Sequence, residues 1–412
     1  MTDHREFDII LWGASGFTGR LVAEYLFGRY GAGGDPRWAM GGRNAKKIEE
    51  IRRDLGPGAA EIPIVVGDSH DPESLSAMVA RARVICTTVG PYAKYGSELV
   101  AACARSGTDY CDLAGETPWI RRMIDAHGEE AIASGARIVP CSGFDSVPSD
   151  LGVWRVQSEA RERTGAACGE VKLRVKAMRG GASGGTVASM LNIVEEVRRD
   201  RSVLKILNDP YALCPVDLRH GPEQVTNVTP QFDADVGAWV GPFVMAAINT
   251  RIVHRTNALL GQAYGADFRY SEAVMTGTGL AGRAKAIGLA AGMGGFMAAA
   301  AIRPLRALLE RFVLPEPGEG PSASAREAGF YDILVIGRTA DGATIRGRVR
   351  GDRDPGYGST SKMLGEAAVC LAKDCPKETL GGGFWTPASA MGAKLMARLS
   401  ENAGVTFEIE GT

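Results

Sequence analysis

Apolar and polar positions alternate in a regular rhythm over the first 140 residues. Asp8–Trp12 is a short apolar run, followed by glycines and an amphipathic stretch from Phe17 to Arg29. Trp38–Gly42 leads into Asn44–Leu55, where Ile48, Ile51 and Leu55 recur at helical spacing. Ile64–Val66 precedes Asp71–Ala80, and Val84–Thr88 precedes Gly96–Ser106. Asp109–Asp112 precedes Pro118–Ser134, and Arg137–Pro140 is a sixth short run. Strand and helix repeated in this way predict parallel βαβ units in a doubly wound α/β sheet. Right-handed crossovers would gather the loops after the strands at one carboxyl edge, where such sheets bind ligands.

The rhythm changes after Ser149. Val171–Met178 reads as a strand, Gly180–Gly185 as a glycine-rich turn, and Thr186–Arg199 as a helix. Residues 205–240 are polar and proline-containing, with no clear period. Ile333–Arg338 and Thr344–Val349 flank Asp341-Gly342, the signature of a β-hairpin. Leu314–Ser324 holds proline and glycine, which break both regular structures, and predicts an exposed connection. Ser361–Ala372 and Pro387–Leu399 are helical patterns, and Val405–Ile409 is strand-like. The expected organisation is a dinucleotide-binding domain over 1–148, an α+β substrate and dimerisation domain over 149–350, and C-terminal helices over 351–412 that rejoin the first.

Composition narrows the function. Lys plus Arg (47) nearly cancels Asp plus Glu (48), so no basic field is available to hold a nucleic-acid backbone. The polar start Met1–Arg5 predicts no leader, which would keep the eight cysteines as reduced thiols in the cytoplasm. Neither the cysteines nor the five histidines show metal-ligand spacing, so no metal site is expected.

Gly13-Ala14-Ser15-Gly16-Phe17-Thr18-Gly19 follows one strand and opens one helix. Gly13 would permit the tight turn, Gly16 the approach of a pyrophosphate, and Gly19 the packing of helix on strand. The GxxGxxG spacing is looser than GxGxxG, and a purely structural turn is the rival reading. The second strand discriminates further. It ends Gly41-Gly42-Arg43-Asn44, with none of the acids that usually hold the ribose 2′-hydroxyl of NAD. A guanidinium there suits a 2′-phosphate, so the expected cofactor is NADPH; otherwise Arg43 is a solvated residue at a helix start. Asp68 ends the third strand and either reaches the adenine side or caps the next helix. Thr87, Thr88, Val89 and Gly90 end the fourth strand, where the nicotinamide riboside is expected.

The segments GASGFTGRLVAEYL, AMGGRN, TTVGPYAKYG, GTDYCDLAGE, CSGFDSVPSDLG and SGGTVAS occur in this order. In them the chain resembles the saccharopine dehydrogenase-like oxidoreductases, and it is most similar to the mycobacterial trans-acting enoyl reductases. NTRIVHRTNAL, YGADFRYSE, GDRDPGYGSTSKMLGEA and TPASAMGAKLMARL carry the resemblance to that subgroup over nearly the whole chain. It implies a Rossmann domain that the tail rejoins and a second α+β domain covering the nicotinamide. It also implies NADPH-dependent saturation of a carbon–carbon double bond in a carrier-bound acyl or polyketide thioester of phthiocerol and phenolic glycolipid synthesis. The rivals are an NADP(H)-binding scaffold or sensor without turnover, and an imine or aldehyde reductase.

Enoyl-thioester reduction needs hydride at the β-carbon, a hydrogen-bond donor for charge on the thioester oxygen, and a proton at the α-carbon. Tyr92, Lys94 and Tyr95, just past the fourth strand, are the nearest donors to the expected nicotinamide, unless they pack only as loop residues. Asp145 or Ser146, after the sixth strand, is placed to point into the cleft, whereas Ser149 and Asp150 resemble a helix N-cap. Cys141 reads as a small buried residue rather than a nucleophile. Ser183–Thr186 presents either backbone N–H groups to a substrate carbonyl or a simple turn.

One feature stands apart. Between Lys285 and Arg303 lie 17 uncharged residues, mostly Ala and Gly, flanked by Arg283, Lys285, Arg303, Arg306 and Arg311. Three readings stay open: a buried or homodimer-forming helix, a peripheral contact of 286–302 with the inner face of the plasma membrane or a lid over a lipid substrate, and a true span.

Overall fold

A computed structural model describes residues 5–181, 183–312 and 319–411. The chain divides into two compact units. The first comprises residues 1–147, 315–322 and 356–404, and the second 148–314, 323–355 and 405–412. Part of the expected connection Leu314–Ser324 lies outside the described residues, as does one residue of the Gly180–Gly185 patch.

In the first unit, β1 (Phe7–Trp12), β2 (Trp38–Gly42), β3 (Ile64–Val66), β4 (Ala82–Thr87), β5 (Asp109–Cys111), β6 (Arg137–Val139) and the two-residue β13 (Gly383–Phe384) form one parallel sheet. Its order is β13-β6-β5-β4-β1-β2-β3. Every residue of β1 and β2 is buried, as expected for strands covered by helices on both faces. Ile9, Ile10 and Leu11 have no solvent exposure, and each such side chain contributes ~1.5–3 kcal/mol by leaving water. The sequence order reverses between β1 and β4, and the register sets Trp12 beside both Gly41 and Thr87. The loops after β1, β2 and β4 therefore start at one level of the carboxyl edge.

In the second unit, β7 (Cys168–Arg179), β8 (Gln231–Asp233), β9 (Ala238–Gly241), β10 (Arg269–Gly277), β11 (Phe330–Thr339), β12 (Thr344–Gly351) and β14 (Val405–Ile409) form a mixed sheet ordered β14-β12-β11-β7-β10-β9-β8. Among the described residues of this sheet only β7 and β10 pair in parallel. The expected hairpin is β11–β12, turning at Asp341-Gly342 with Gly342 at φ +90°. Residues 205–240, without period in the sequence, hold the short strands β8 and β9, whose few residues cannot display one.

The tail divides between the units. The helix Thr360–Lys373 packs on β4 and on the helix Phe17–Tyr30, as expected of a tail that returns to the parallel sheet. The last strand, Val405–Ile409, instead pairs with β12, because its unpaired backbone completes the edge of the mixed sheet. The crossover falls at 355–356, a few residues beyond the expected 351.

Candidate active site

The loop after β1 is shaped by its glycines. Gly13 sits at φ +93°, and a Cβ there would lie 2.6 Å from Val89 Cγ2 and 2.8 Å from Thr88 Oγ1. A Cβ on Gly19 would drive into the Gly13 carbonyl, so this glycine sets how closely the helix Phe17–Tyr30 approaches the loop. The backbone N–H groups of Gly13 and Ala14 both donate to Gly41 O, at 3.0 and 3.1 Å. Gly16 is the helix N-cap and brings no side-chain oxygen to the first-turn N–H groups. That terminus carries no acid in its first turn, so its positive dipole end is not offset there. The structure thus gives the loop the two properties a pyrophosphate needs: a close backbone and a helix terminus without a side-chain cap.

At the end of β2, Arg43 is exposed and makes no hydrogen bond or ion pair among the described residues. Asn44 is the N-cap of the helix Ala45–Asp54, its Oδ1 accepting from Lys47 N at 3.1 Å. Asp68, after β3, accepts from His70 N at 3.0 Å in its own turn. The cap of the following helix is Asp71, so Asp68 does not take that role.

The end of β4 is bound to the glycine loop. Thr88 N donates to Trp12 O at 3.1 Å, and Thr88 Oγ1 faces Gly13 O at 3.4 Å. Thr87 is buried and its Oγ1 accepts from Val89 N at 3.2 Å; Gly90 is exposed. The short turn Tyr92–Tyr95 follows. Lys94 and Tyr95 are exposed, with Tyr95 set edge-on to His70 at 5.7 Å. Tyr92 departs from the expected open donor. It is only 4% exposed and lies 5.4 Å from the Trp119 ring. Its hydroxyl donates to Thr87 O (3.3 Å) and accepts from Leu113 N (3.0 Å), so both of its roles are taken. A ring this large gains more by burial against Trp119 than by projecting into water.

Three acids gather at the same edge, two of which the sequence reading passed over. Glu116 is buried and accepts from Tyr92 N (2.8 Å) and Ala93 N (3.0 Å), capping the turn at its positive end. Asp112, directly after β5, accepts from Tyr110 Oη (2.7 Å), Ala114 N (2.9 Å) and Cys141 N (3.0 Å). Burial pushes its carboxyl up to about 6 despite these donors. The bond to Cys141 N holds that residue at φ +62°, and its thiol, fully buried, points to Ala114 O at 2.7 Å. Asp145 keeps partial exposure, yet its Oδ2 is buried without a hydrogen-bond partner. Burial, and then the neighbouring Asp112 charge, push Asp145 up to about 8. The sequence signal for these acids was their position just past the ends of β5 and β6.

Within the second unit, the residues expected to form a helix cap lie inside the helix Val147–Thr164 instead. Ser149 Oγ accepts from Asn249 Nδ2 at 3.0 Å, and Asp150 Oδ1 accepts from Thr256 Oγ1. Both are buried, and buried polar groups take such partners in preference to a cap. Ser183 does cap a helix, its Oγ accepting from Thr186 N at 3.0 Å.

The strand order, the switch point between β1 and β4 and the glycine loop define a dinucleotide-binding type of fold. No family model matches the sequence. The chain is 44% identical over 417 aligned residues to a Mycobacterium tuberculosis protein provisionally named a trans-acting enoyl reductase, covering 98% of this chain and 97% of that one. It is 40% identical, with the same coverage, to the trans-acting enoyl reductase of Mycobacterium bovis. Among solved structures, the fold is similar to a homospermidine synthase from Legionella pneumophila in complex with NAD (TM-score 0.51, 7% identity, 98% of this chain and 91% of that chain). The chain belongs to the trans-acting enoyl reductase family.

Proposed function

We propose that the chain is an NADPH-dependent enoyl reductase working in trans on an acyl or polyketide thioester presented by a carrier in complex-lipid assembly. The near full-length similarity to trans-acting enoyl reductases carries this reading. Residues Gly13–Gly19 suit the pyrophosphate, because a Cβ at Gly13 or Gly19 would close the cradle. Arg43, exposed and without a partner among the described residues, suits a 2′-phosphate by charge-assisted bonds. Asn44 and Asp68 flank the adenosine side, and Thr87–Gly90 the nicotinamide side. Bound there, the dinucleotide supplies a hydride.

The remaining work is to manage charge and a proton. Negative charge grows on the thioester oxygen, and the α-carbon ends with a proton. Asp145, held largely protonated at neutral pH, is the group assigned to donate at that oxygen or carbon. Tyr92 acts as a positioning residue, tying the end of β4 to Leu113. Lys94 and Tyr95, exposed on the same turn, are assigned to contact the substrate.

Incubation of the protein with NADPH and a panel of enoyl thioesters tests this, with mass spectrometry of the product. Saturated thioester is the expected result. Tight NADPH binding without oxidation would replace the reading with a scaffold or sensor. Oxidation supported only by imines or aldehydes would reassign the reaction.

A further inference from the structure

The second unit carries an exposed apolar helix outside the candidate site described above. The helix Gly279–Ala301 is long and apolar enough to cross a membrane, yet only 11% of its apolar stretch is buried. A Cβ built on Gly288, Gly292, Gly294 or Gly295 would meet nothing within 4 Å beyond the helix's own backbone, so among the described residues no other segment fills those positions. Large apolar side chains are exposed along this helix and the next, Arg303–Phe312: Ile287, Met297, Ile302, Leu305 and Leu308. The first half of the helix Gly279–Ala301 rests on β9 and β10, with Leu289 and Ala286 against Gly241. Its far end and the next helix are anchored where Ala300, Phe296 and Leu309 pack on Leu191 and Val194 of the helix Gly184–Arg199.

Beside that anchor lies a recess of about 300 Å³ lined by Glu195, Arg198, Arg199, Arg303, Arg306 and Ala307. Three guanidiniums share the Glu195 carboxylate: Arg306 at 2.8 Å, and Arg198 and Arg199 at 3.1 Å. With Arg303, the recess holds four cations against one lining acid. Residues 279–312 hold five cations and one acid in a chain whose net charge is −1. Apolar exposure and positive charge therefore coincide on one helical pair.

We propose that this pair docks on a bilayer containing anionic phospholipid. The Arg recess takes a headgroup phosphate, and Ile302, Leu305, Leu308 and the apolar helix enter the headgroup–acyl boundary. Charge complementarity selects this occupant. A second copy of the chain would bring the same cationic flank against itself across a two-fold interface. The length of the uncharged stretch argues for lying in the surface instead of spanning. At 1.5 Å per residue, 17 uncharged residues reach ~25 Å, short of a ~30 Å hydrocarbon core.

Vesicle co-sedimentation of the full chain tests this independently of turnover, so its failure would leave the reading of the active site standing. Binding should be at least tenfold tighter to phosphatidylcholine vesicles with 30% phosphatidylglycerol than to phosphatidylcholine alone, and should weaken with salt. Arg199→Gln with Arg303→Gln should lower partition by about 25-fold, at roughly fivefold for each charge near the surface. Leu308→Asp should lower it as well, with the thermal melt unchanged. Equal partition to both vesicle types, or full binding by these variants, would overturn the proposal. So would loss of vesicle binding through competition by inorganic phosphate at millimolar concentration, which would make the recess a soluble-anion site. A stable dimer in which Leu308→Asp restores the monomer would assign the surface to a second copy.

Discussion

Tyr25 and Glu366, 341 positions apart, are joined by a 2.5 Å hydrogen bond that ties the helix after the glycine loop to the tail helix Thr360–Lys373. Glu366 has no solvent exposure and also accepts from Tyr30 Oη (2.5 Å) and Arg398 Nη1 (3.2 Å). With Asn402 Nδ2 also donating at 3.3 Å, one buried carboxylate holds four donors from two other segments of the first unit. Burial and the Glu366 charge keep the Tyr25 phenol well above its ordinary value, so it remains the donor at any ordinary pH.

Glu366→Ala removes the shared acceptor and leaves two phenols, the Asn402 amide and part of a guanidinium to find other partners. Breaking a buried charged network from one side costs ~2–4 kcal/mol. Urea denaturation should show that loss, and Tyr25→Phe, which removes one donor only, should cost ~1 kcal/mol. Equal losses for the two variants would mean the carboxylate is not the hub.

Gly19→Ala forces the helix start away from the Gly13 carbonyl. Expected outcomes are a stability loss of ~1–3 kcal/mol, typical of overpacking, and NADPH binding weakened at least tenfold. Titration calorimetry together with a thermal melt checks both. Unchanged NADPH affinity would detach the loop from the cofactor.

Arg43 is exposed and holds no hydrogen bond or ion pair among the described residues, so the melt of Arg43→Ala should match the parent. Its NADPH affinity should fall by ~10–100-fold while NADH affinity holds, since a charge-assisted phosphate pair contributes ~1.5–3 kcal/mol. A parallel fall for both cofactors would place Arg43 away from the 2′-phosphate.

Asp145 makes stability depend on pH in a defined direction. Its folded value of about 8 lies above the ordinary ~3.9 of an unfolded Asp. Between those values the folded chain keeps a proton that the unfolded chain has released, so stability contributed by this group is full below ~pH 4 and falls as pH rises to about 8. Asp145→Asn should flatten that slope and stabilise the protein by ~1–3 kcal/mol at pH 8. Its turnover with an enoyl thioester should drop by ~10²–10⁴, the usual range for a general acid. An unaltered pH slope of stability would show that the carboxyl is solvated.

The parallel unit was legible in the sequence because its information is local. Continuous apolar runs such as Phe7–Trp12 and Trp38–Gly42 mark strands buried on both faces, and Gly13, Gly16 and Gly19 mark a turn whose requirements span seven residues. Asp341-Gly342 fixed its hairpin for the same reason. Tertiary structure decided what depends on distant partners. Tyr92 was a candidate donor until Trp119, Leu113 and Thr87 enclosed it. Asp112 and Glu116 gain meaning only once β4, β5 and β6 lie side by side and the strand ends converge. Val405–Ile409 looked like any short strand, and its pairing with β12 was set by an open sheet edge far away in sequence. The 17-residue apolar run reads alike for a core helix and an exposed one, because composition fixes what a segment can bury and only the fold determines whether a neighbour is there to bury it.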